Sequence, residues 1–253
     1  MHFQDLKPAF DHDGFVIVPG LLDQRELDEL RSHLDRYIRE VVPRLPDSQA
    51  FYVDKSRPET LKQMQHMGLD AFFRDYMRHP TWNSLAESLI GEPVEPQEPE
   101  WFNKPPGTDS PTPAHQDNYY FCLKPAHVLT VWLALDSVDE SNGCLRYVAG
   151  SHRLGLRPHA RSNILGFSQG ITDYGPADEA CEVIVRLLPG DAVAHHGETI
   201  HRADPNGSPT RHRRAFAMVL RGVSCRRDEE AFARYSAALQ DQHVELGLSR
   251  DRP

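Results

Sequence analysis

Short β-rich runs separated by turn sequences occupy the chain from about residue 127 to residue 224, and they constrain its fold more than any other feature. The turns are "ESNG", "PGD" and "DPNGSP", and the runs between them are HVLTVWLALD, CLRYVAGS, CEVIVRLLPGD, AVAHHGETIH and RAFAMVLRGVS. In the first run, apolar residues stand at odd and at even positions alike, which is typical of a central strand covered on both faces. Runs of this length and spacing predict a β-sandwich or closed barrel.

Before this region the pattern is helical. The short apolar strand "FVIVPG" is followed by Asp23, which is placed to cap a helix whose Leu27, Leu30, Leu34 and Ile38 share one face. A second helical stretch is predicted over residues 59–90, with Pro80 ending one segment and Thr81 capping the next.

These patterns together predict a fold that is mainly β with supporting α-helices. We expect one domain, residues 1–253, in which a helical N-terminal layer of about residues 1–92 supports a jelly roll. A length of 253 residues suits one large core. A β scaffold of this kind commonly carries its functional site inside its mouth.

Composition and charge exclude several classes of partner. The chain has 28 basic and 37 acidic residues, a formal net charge of −9, and its basic residues are scattered. Nucleic acid and membrane are therefore not expected as partners. The N-terminus has no signal-peptide pattern and no stretch approaches the roughly 20 apolar residues of a membrane span, so a cytoplasmic protein is expected. The cysteines are far apart and are expected to be reduced and structural: Cys122, Cys144, Cys181 and Cys225.

The segment "PTPAHQDNYYF" places His115 and Asp117 two residues apart on a stretch that reads as strand and turn. On an extended backbone, residues i and i+2 project from the same face, so an imidazole nitrogen and a carboxylate oxygen can converge on one point. This geometry suits a metal ion, provided that a third ligand comes from elsewhere.

The segment "AVAHHGETIHRADPNGSPTRHRRAF" offers four candidates for that ligand: His195, His196, His201 and His212. Of these, His201 lies at a strand end before a turn-rich segment, a rim position from which a side chain can point into a cavity, and His196 is its main rival. Two histidines and one carboxylate, with other positions open, are the ligands expected of non-haem Fe(II) oxygenases. A 2-oxo acid co-substrate with a distal carboxylate also needs a cation, and the fork of an arginine fits best.

The segments "NKPPGTDSPTPAHQDNYYF", "LTVWLALDSVDESNGCLRYVAGSH" and "PGDAVAHHGETIHRADPNGSPTRHRRAF", with "DGFVIVPGLLD", resemble the phytanoyl-CoA dioxygenase family. The resemblance implies a double-stranded β-helix (cupin-like) and runs from about residue 10 to 222. It further implies that Fe(II) is bound by His115, Asp117 and His201, and that 2-oxoglutarate is bound by Arg213, with Arg214 as the second choice, and by pocket residues Trp132 and Gln116. One departure concerns the position two after the distal histidine, where many members have serine and this chain has Ala203.

The expected activity is that of a 2-oxoglutarate-dependent dioxygenase. It would use Fe(II), 2-oxoglutarate and O₂ to hydroxylate an aliphatic C–H bond of a small organic molecule, releasing succinate and CO₂. The presence of Asp117 favours hydroxylation over halogenation. Asn118 and Tyr120 are candidates for substrate contact, and the loop at 155–180 is a candidate lid. No catalytic side chain beyond the metal centre is predicted, and the oligomeric state is left open.

Two alternatives from other functional classes stay open at this stage. The first is a hydrolase or lyase that uses the same three ligands with zinc or manganese, which would not need Arg213. The second is a catalytically silent jelly roll that binds a small molecule, against which the complete set of metal ligands argues.

Overall fold

The computed structural model describes residues 2–164 and 167–245. Its α-helices are α1 (Lys7–Asp13), α2 (Gln24–Glu40), α3 (Ala71–Tyr76), α4 (Pro80–Ile90), α5 (Asn118–Phe121), α6 (Pro176–Glu179) and α7 (Glu229–Glu245). Short 3₁₀ helices cover Phe3–Leu6, Val42–Arg44, Pro58–Thr60, Met67–Leu69 and Ser151–Leu154. The strands are β1 (Phe15–Val18), β2 (Ala50–Tyr52), β3 (Leu61–Met64), β4 (Val94–Pro96), β5 (Glu100–Lys104), β6 (Thr112–His115), β7 (Leu123–Lys124), β8 (Val128–Ala134), β9 (Leu145–Val148), β10 (His159–Ile164), β11 (Phe167–Ile171), β12 (Glu182–Val185), β13 (Ala192–His196), β14 (His201–Ala203), β15 (Arg213–Gly222) and β16 (Arg226–Arg227).

Two antiparallel sheets form the body of the protein. The large sheet has the strand order β1-β13-β8-β15-β5-β3-β2, with β4 also paired to β15, and the small sheet has the order β12-β9-β14-β6. Side chains from both sheets meet in one apolar cluster, in which Trp132 and Ala215 of the large sheet pack with Leu145 and Tyr147 of the small one. The mainly β jelly roll that the sequence predicts is therefore confirmed.

The helices cover the opposite face of the large sheet. Every residue of β8 is buried, because alternate side chains point to the helices and to the small sheet. Helix α2 begins with the predicted Asp23 cap, whose carboxylate accepts from the Glu26 N–H while the Glu26 carboxylate accepts from the Asp23 N–H. Its buried face, Leu27, Leu30, Leu34 and Tyr37, packs into the larger core. Each such side chain contributes about 1.5–3 kcal/mol to folding.

The predicted helix over residues 59–90 is wrong in its first half. Residues Leu61–Met64 form β3, which pairs with β2 and β5 in the large sheet, so pairing with distant strands overrides local helical spacing. The prediction around Pro80 is also reversed. Pro80 is the first residue of α4, where a missing N–H costs nothing, and His79 is the cap that accepts from the Thr81 N–H.

The candidate lid at 155–180 is more structured than a loop. It contains the β10–β11 hairpin and helix α6, and the hairpin packs against β6, the strand that carries His115. Residues 165–166 of the candidate lid lie outside the described residues.

Two further features of the described residues concern the cysteines and the helices. All four cysteines are free thiols, and Cys181 alone among them is exposed. None of the helices within residues 2–164 and 167–245 combines the length and apolar character needed to cross a bilayer.

Candidate metal centre and its cavity

Strand pairing brings the two predicted histidine ligands together. His115 ends β6 and His201 begins β14, and the two residues are direct partners in the ladder between these strands. Asp117 follows two residues after His115, where the chain turns into α5. The carboxylate oxygen Oδ1 of Asp117 lies 3.5 Å from Nε2 of His115 and 3.7 Å from Nε2 of His201. One ligand atom from each of the three residues lies within 4.8 Å of the others.

Backbone hydrogen bonds fix the orientation of both imidazole rings. Nδ1 of His115 donates to the carbonyl of Pro113 at 2.7 Å, and Nδ1 of His201 donates to the carbonyl of Thr199 at 3.0 Å. In each case the partner lies two residues earlier in the chain. A neutral imidazole with a protonated Nδ1 leaves Nε2 as a lone-pair donor. Both rings are therefore prepared to bind a cation.

The carboxylate of Asp117 is held by two side chains on the large sheet. Its Oδ2 accepts from the Thr130 hydroxyl at 2.7 Å and from Nε2 of His195 at 3.0 Å. Burial acts to raise the pKa of Asp117, but the neighbouring imidazoles of His201, His115 and His195 outweigh burial and hold the pKa well below its usual value. Burial lowers the pKa of His201. A carboxylate beside neutral imidazoles is the state that metal binding requires.

The other histidines of the distal segment have different partners. His195 bridges Asp117 and Tyr147. His196, the main rival, uses Nδ1 to accept from the Glu198 N–H. His212 contacts the amide oxygen of Asn103 at 3.2 Å. Of the four candidates, His201 is the one that joins His115 and Asp117 in the cluster of ligand atoms.

Arg213 shares a cavity with the three ligands. The cavity encloses about 830 Å³, including the space at its open mouth, and Trp132 and Ala203 are also among its lining residues. The Arg213 guanidinium is buried, lies 5.2 Å from the centre of the Trp132 ring, and has no hydrogen-bond partner at Nε. Among the described residues, no carboxylate lies within ion-pair distance of it. Burial lowers the pKa of Arg213 to about 10.

Arg214, the second choice for the co-substrate arginine, is already paired. Its Nε and Nη2 donate to the two carboxylate oxygens of Asp136 at 2.9 and 2.7 Å, and its backbone N–H donates to the same carboxylate. Successive strand residues point to opposite faces, so Arg213 and Arg214 cannot both face the cavity. Arg213 is the one that does.

Two lysines of the cavity were missed by the sequence analysis. Lys104 is the strand partner of Arg213, and its ammonium donates to the carbonyl of Ser110 at 2.9 Å. Burial lowers the pKa of Lys104 to about 6 and that of Lys62 to about 8. Lys62 escaped notice because its segment was predicted as helix. Lys104 lies in the "NKPPG" segment. A strand assigned to that segment would have been the signal that identifies this lysine.

Three predicted pocket residues do not line this cavity. In sequence, Gln116 lies between His115 and Asp117, so its side chain points to the side opposite to theirs. There it donates to the carbonyls of Gly155 and Glu198 and accepts from the Arg157 N–H. It therefore braces the segment after residue 154 and does not contact the cavity that holds Arg213.

Asn118 and Tyr120, the candidates for substrate contact, are also absent from the residues that line the cavity. The Asn118 amide is buried and makes hydrogen bonds in both directions with the backbone of Leu123, which closes the turn around α5. The Tyr120 hydroxyl donates to the carbonyl of Gln169 at 2.6 Å, while its ring centroid lies 5.8 Å from that of His115. Neither residue lines the cavity that holds Arg213, because the chain becomes helical immediately after Asp117, and their contact with substrate stays a prediction.

Comparison with known proteins agrees with this arrangement. The model of the family described as Phytanoyl-CoA dioxygenase (PhyH) matches residues 10–215. Peroxisomal phytanoyl-CoA dioxygenase from Bos taurus is 25% identical over 230 residues, which cover 85% of this chain and 67% of that protein. The chain thus spans about two thirds of the length of this curated relative.

Solved structures of similar fold extend the comparison. EvdO2 from Micromonospora carbonacea var. aurantiaca, complexed with 2-oxoglutarate, is 25% identical with a TM-score of 0.68 over 86% of this chain and 89% of that chain. The epimerase SnoN, in complex with Fe³⁺, alpha ketoglutarate and nogalamycin RO, is 24% identical with a TM-score of 0.70 over 88% of this chain and 84% of that chain.

The family match extends over most of the chain and includes the segments of all three candidate ligands and of Arg213. It confirms both the resemblance read from the sequence motifs and the expected enzyme class, an iron- and 2-oxoglutarate-dependent oxidoreductase on a double-stranded β-helix. This chain belongs to the phytanoyl-CoA dioxygenase family.

Proposed function

We propose that this protein is a dioxygenase that hydroxylates an aliphatic C–H bond of a small organic molecule, with release of succinate and CO₂. One observation carries the proposal. A His-Asp-His cluster and a buried arginine that has no carboxylate partner among the described residues line the same cavity. The cluster supplies the ligands of a metal, and the arginine supplies the recognition of a dicarboxylic co-substrate.

In this proposal, His115, Asp117 and His201 hold Fe(II). Two imidazole nitrogens and one carboxylate oxygen are the donor set expected of a non-haem Fe(II) oxygenase. Bound iron and 2-oxoglutarate together supply the oxidising chemistry, in which O₂ is activated as the co-substrate loses CO₂. The remaining tasks of the protein are to hold these groups, to orient the substrate and to exclude water.

Arg213 binds the far carboxylate of 2-oxoglutarate. Its guanidinium is buried beside Trp132 at a distance at which the ring faces the cation, so it lies in a site of low dielectric where an ionic hydrogen bond is strong. An arginine whose Nε has no partner is costly to bury, and a bound carboxylate removes that cost. Because Arg213 lies in the same cavity as the three ligands, a co-substrate held at both points is better met by a dicarboxylate than by a monocarboxylate.

The choice of hydroxylation rests on this chain's own ligands. Asp117 provides a third protein ligand, so the coordination position that a halide would need is filled. SnoN, which has a similar fold, is an epimerase, so other outcomes also occur on this fold. The three ligands and Arg213 line one concave cavity, the usual form of a small-molecule site, which supports a small organic substrate.

The test is an anaerobic titration. Metal-free protein receives Fe(II) and then 2-oxoglutarate, while the visible charge-transfer band of the chelated complex is recorded for wild type, Arg213→Ala and Arg214→Ala. We expect the band in wild type, a need for at least tenfold more 2-oxoglutarate in Arg213→Ala, and near wild-type behaviour in Arg214→Ala.

Two outcomes would overturn the proposal. Tight metal binding in wild type without any band would favour a zinc- or manganese-dependent hydrolase or lyase on the same ligands. Absence of metal binding in wild type would favour a jelly roll that binds a small molecule without catalysis.

A further inference from the structure

The carboxylate of Asp117 is asymmetric in its surroundings. Its Oδ2 receives two hydrogen bonds, from Thr130 at 2.7 Å and from His195 at 3.0 Å. Its Oδ1 is turned toward Nε2 of His115 and of His201. The two donors occupy the lone-pair directions of Oδ2. Oδ2 is therefore not available to a cation.

His195 is itself held in place by a further residue. The Tyr147 hydroxyl lies 3.0 Å from Nδ1 of His195. Because the carboxylate of Asp117 only accepts, Nε2 of His195 carries the proton, and Nδ1 of the neutral ring accepts from Tyr147. The hydrogen bonds therefore run in one direction, from Tyr147 to His195 to Asp117.

Tyr147 has little freedom to move. Its side chain is fully buried, and its ring stacks on Phe15 with centroids 4.6 Å apart and planes 16° apart. It is also the strand partner of His201, and the two rings lie 5.4 Å apart with planes 21° apart. One residue thus contacts one candidate ligand directly and orients a second one through His195.

We propose that Tyr147 and His195 are positioning residues that make Asp117 a ligand through Oδ1 alone. The inference rests on the proposed function, in which the metal must also accept a chelating co-substrate and O₂. A carboxylate that bound through both oxygens would occupy a position that these groups need. The two residues therefore keep that position available, while Thr130 supplies the second hydrogen bond to Oδ2.

The first part of the test measures Fe(II) affinity without oxygen or co-substrate, by competition with a chromophoric chelator. His195→Leu removes the donor to Asp117, and His195→Gln retains one. Tyr147→Phe keeps the ring but removes the hydroxyl. Groups that orient metal ligands typically change affinity by about 10–100-fold, so we expect such a loss in His195→Leu, a smaller loss in Tyr147→Phe, and partial recovery in His195→Gln.

The second part tests whether Tyr147 acts through His195. In a double-mutant cycle, Tyr147→Phe should cause no further loss of Fe(II) affinity when His195 is already leucine. Tyr37→Phe is the control. It also removes the hydroxyl of a buried tyrosine, but that tyrosine belongs to the larger core cluster between the helices and the large sheet, and it should leave Fe(II) affinity unchanged. Far-ultraviolet circular dichroism confirms that each variant is folded.

The results separate this inference from the proposed function. Wild-type Fe(II) affinity in both Tyr147→Phe and His195→Leu would overturn the inference. Complete loss of metal in His195→Leu, equal to that in His201→Ala, would also overturn it, because His195 would then be a ligand itself. If wild type binds Fe(II) but shows no charge-transfer band with 2-oxoglutarate, the proposed function fails, while the affinity differences still decide the positioning role.

Discussion

His115 and His201 are direct partners across the ladder between β6 and β14. A single register therefore sets the separation of the two imidazoles, and a slip of one residue would turn one of them to the opposite face of the sheet. Because Tyr147 pairs with His201 from the other neighbouring strand, that register is fixed from both sides. The separation of the two histidine ligands is thus a property of the small sheet, whereas Asp117 lies beyond the end of β6 and is held by the large sheet.

Replacement of any one candidate ligand should remove most of the metal affinity. His115→Ala, Asp117→Ala and His201→Ala each delete one of three donor groups, and we expect a loss of Fe(II) affinity greater than the roughly 100-fold upper range for groups that only orient ligands. Anaerobic competition with a chelator measures it. His212→Ala is the control, since His212 contacts Asn103 and lies outside the ligand cluster. Equal affinities for His201→Ala and His212→Ala would contradict the assignment.

Ala203→Ser should strengthen 2-oxoglutarate binding. Ala203 is buried in the cavity wall, where many family members have serine, so a hydroxyl there can donate to the co-substrate. A new hydrogen bond to a charged group contributes about 1.5–3 kcal/mol, and allowing for imperfect geometry we expect at least a fivefold lower Kd. The titration of the charge-transfer band measures this change. Ala203→Cys, which also adds one atom to Cβ but whose thiol is only a weak donor, is the control, and an equal gain in both variants would refute the explanation.

Gln116→Ala should leave 2-oxoglutarate affinity within about twofold of wild type, because the Gln116 side chain does not reach the cavity. It should instead loosen the segment at 155–157, whose backbone Gln116 holds through Gly155 and Arg157. Hydrogen exchange of this segment should become faster, by a factor of about 10 for a lost hydrogen bond of about 1.4 kcal/mol. A large rise in the Kd for 2-oxoglutarate with unchanged exchange would restore the original prediction for Gln116.

Glu100→Gln should stabilise the protein at alkaline pH. Glu100 accepts a long hydrogen bond of 3.2 Å from Gln63, and burial raises its pKa from 4.5 to about 7. Its ionisation is therefore easier in the unfolded chain, and the free energy of unfolding falls as the pH rises from about 4.5 to about 7. Discounting for partial exposure, we expect Glu100→Gln to gain about 1–2 kcal/mol at pH 8 and nothing at pH 4.5.

Urea unfolding at the two pH values measures this difference for Glu100→Gln. Glu87→Gln, on the exposed side of α4, is the control. Its difference in stability from wild type should be the same at both pH values. A Glu100→Gln variant that is equally stabilised at pH 4.5 would show that the gain comes from packing and not from charge.

Asp23→Ala should destabilise the protein by about 1 kcal/mol, because it removes the capping box of α2. The helix carries four buried side chains of the larger core, so its fraying exposes apolar surface. Gln24→Ala, one position later and outside the capping box, should change stability by less than about half as much. The midpoint of urea unfolding at neutral pH distinguishes the two variants.

Much of the site was predictable because it depends on local patterns. The separation of two residues between His115 and Asp117 guarantees a shared face on extended backbone, whatever the rest of the fold does. The turn after His201 and the start of β15 at Arg213 were also visible as changes of pattern. The family resemblance then selected His201 from four histidines, and the structure places it beside the other two candidate ligands.

The remaining features depend on partners that are distant in sequence. Lys62 lies on a segment with helical spacing, and β3 forms there because β2 and β5 supply its hydrogen bonds. The choice between Arg213 and Arg214 depends on which face of β15 meets the cavity. It also depends on Asp136, which pairs with Arg214. Gln116 was predicted as a pocket residue from the family resemblance, although in this chain its side chain bonds to the backbone of Gly155, Glu198 and Arg157 and does not line the cavity.

The buried guanidinium of Arg213 also affects how this protein should be handled at the bench. An interior cation without a protein carboxylate among the described residues will accept any small dianion that fits beside Trp132. If Arg213 binds the co-substrate as proposed, malonate and accumulated succinate are expected to compete with 2-oxoglutarate. A weak activity measured in a carboxylate buffer would report the composition of that buffer as much as the strength of the enzyme.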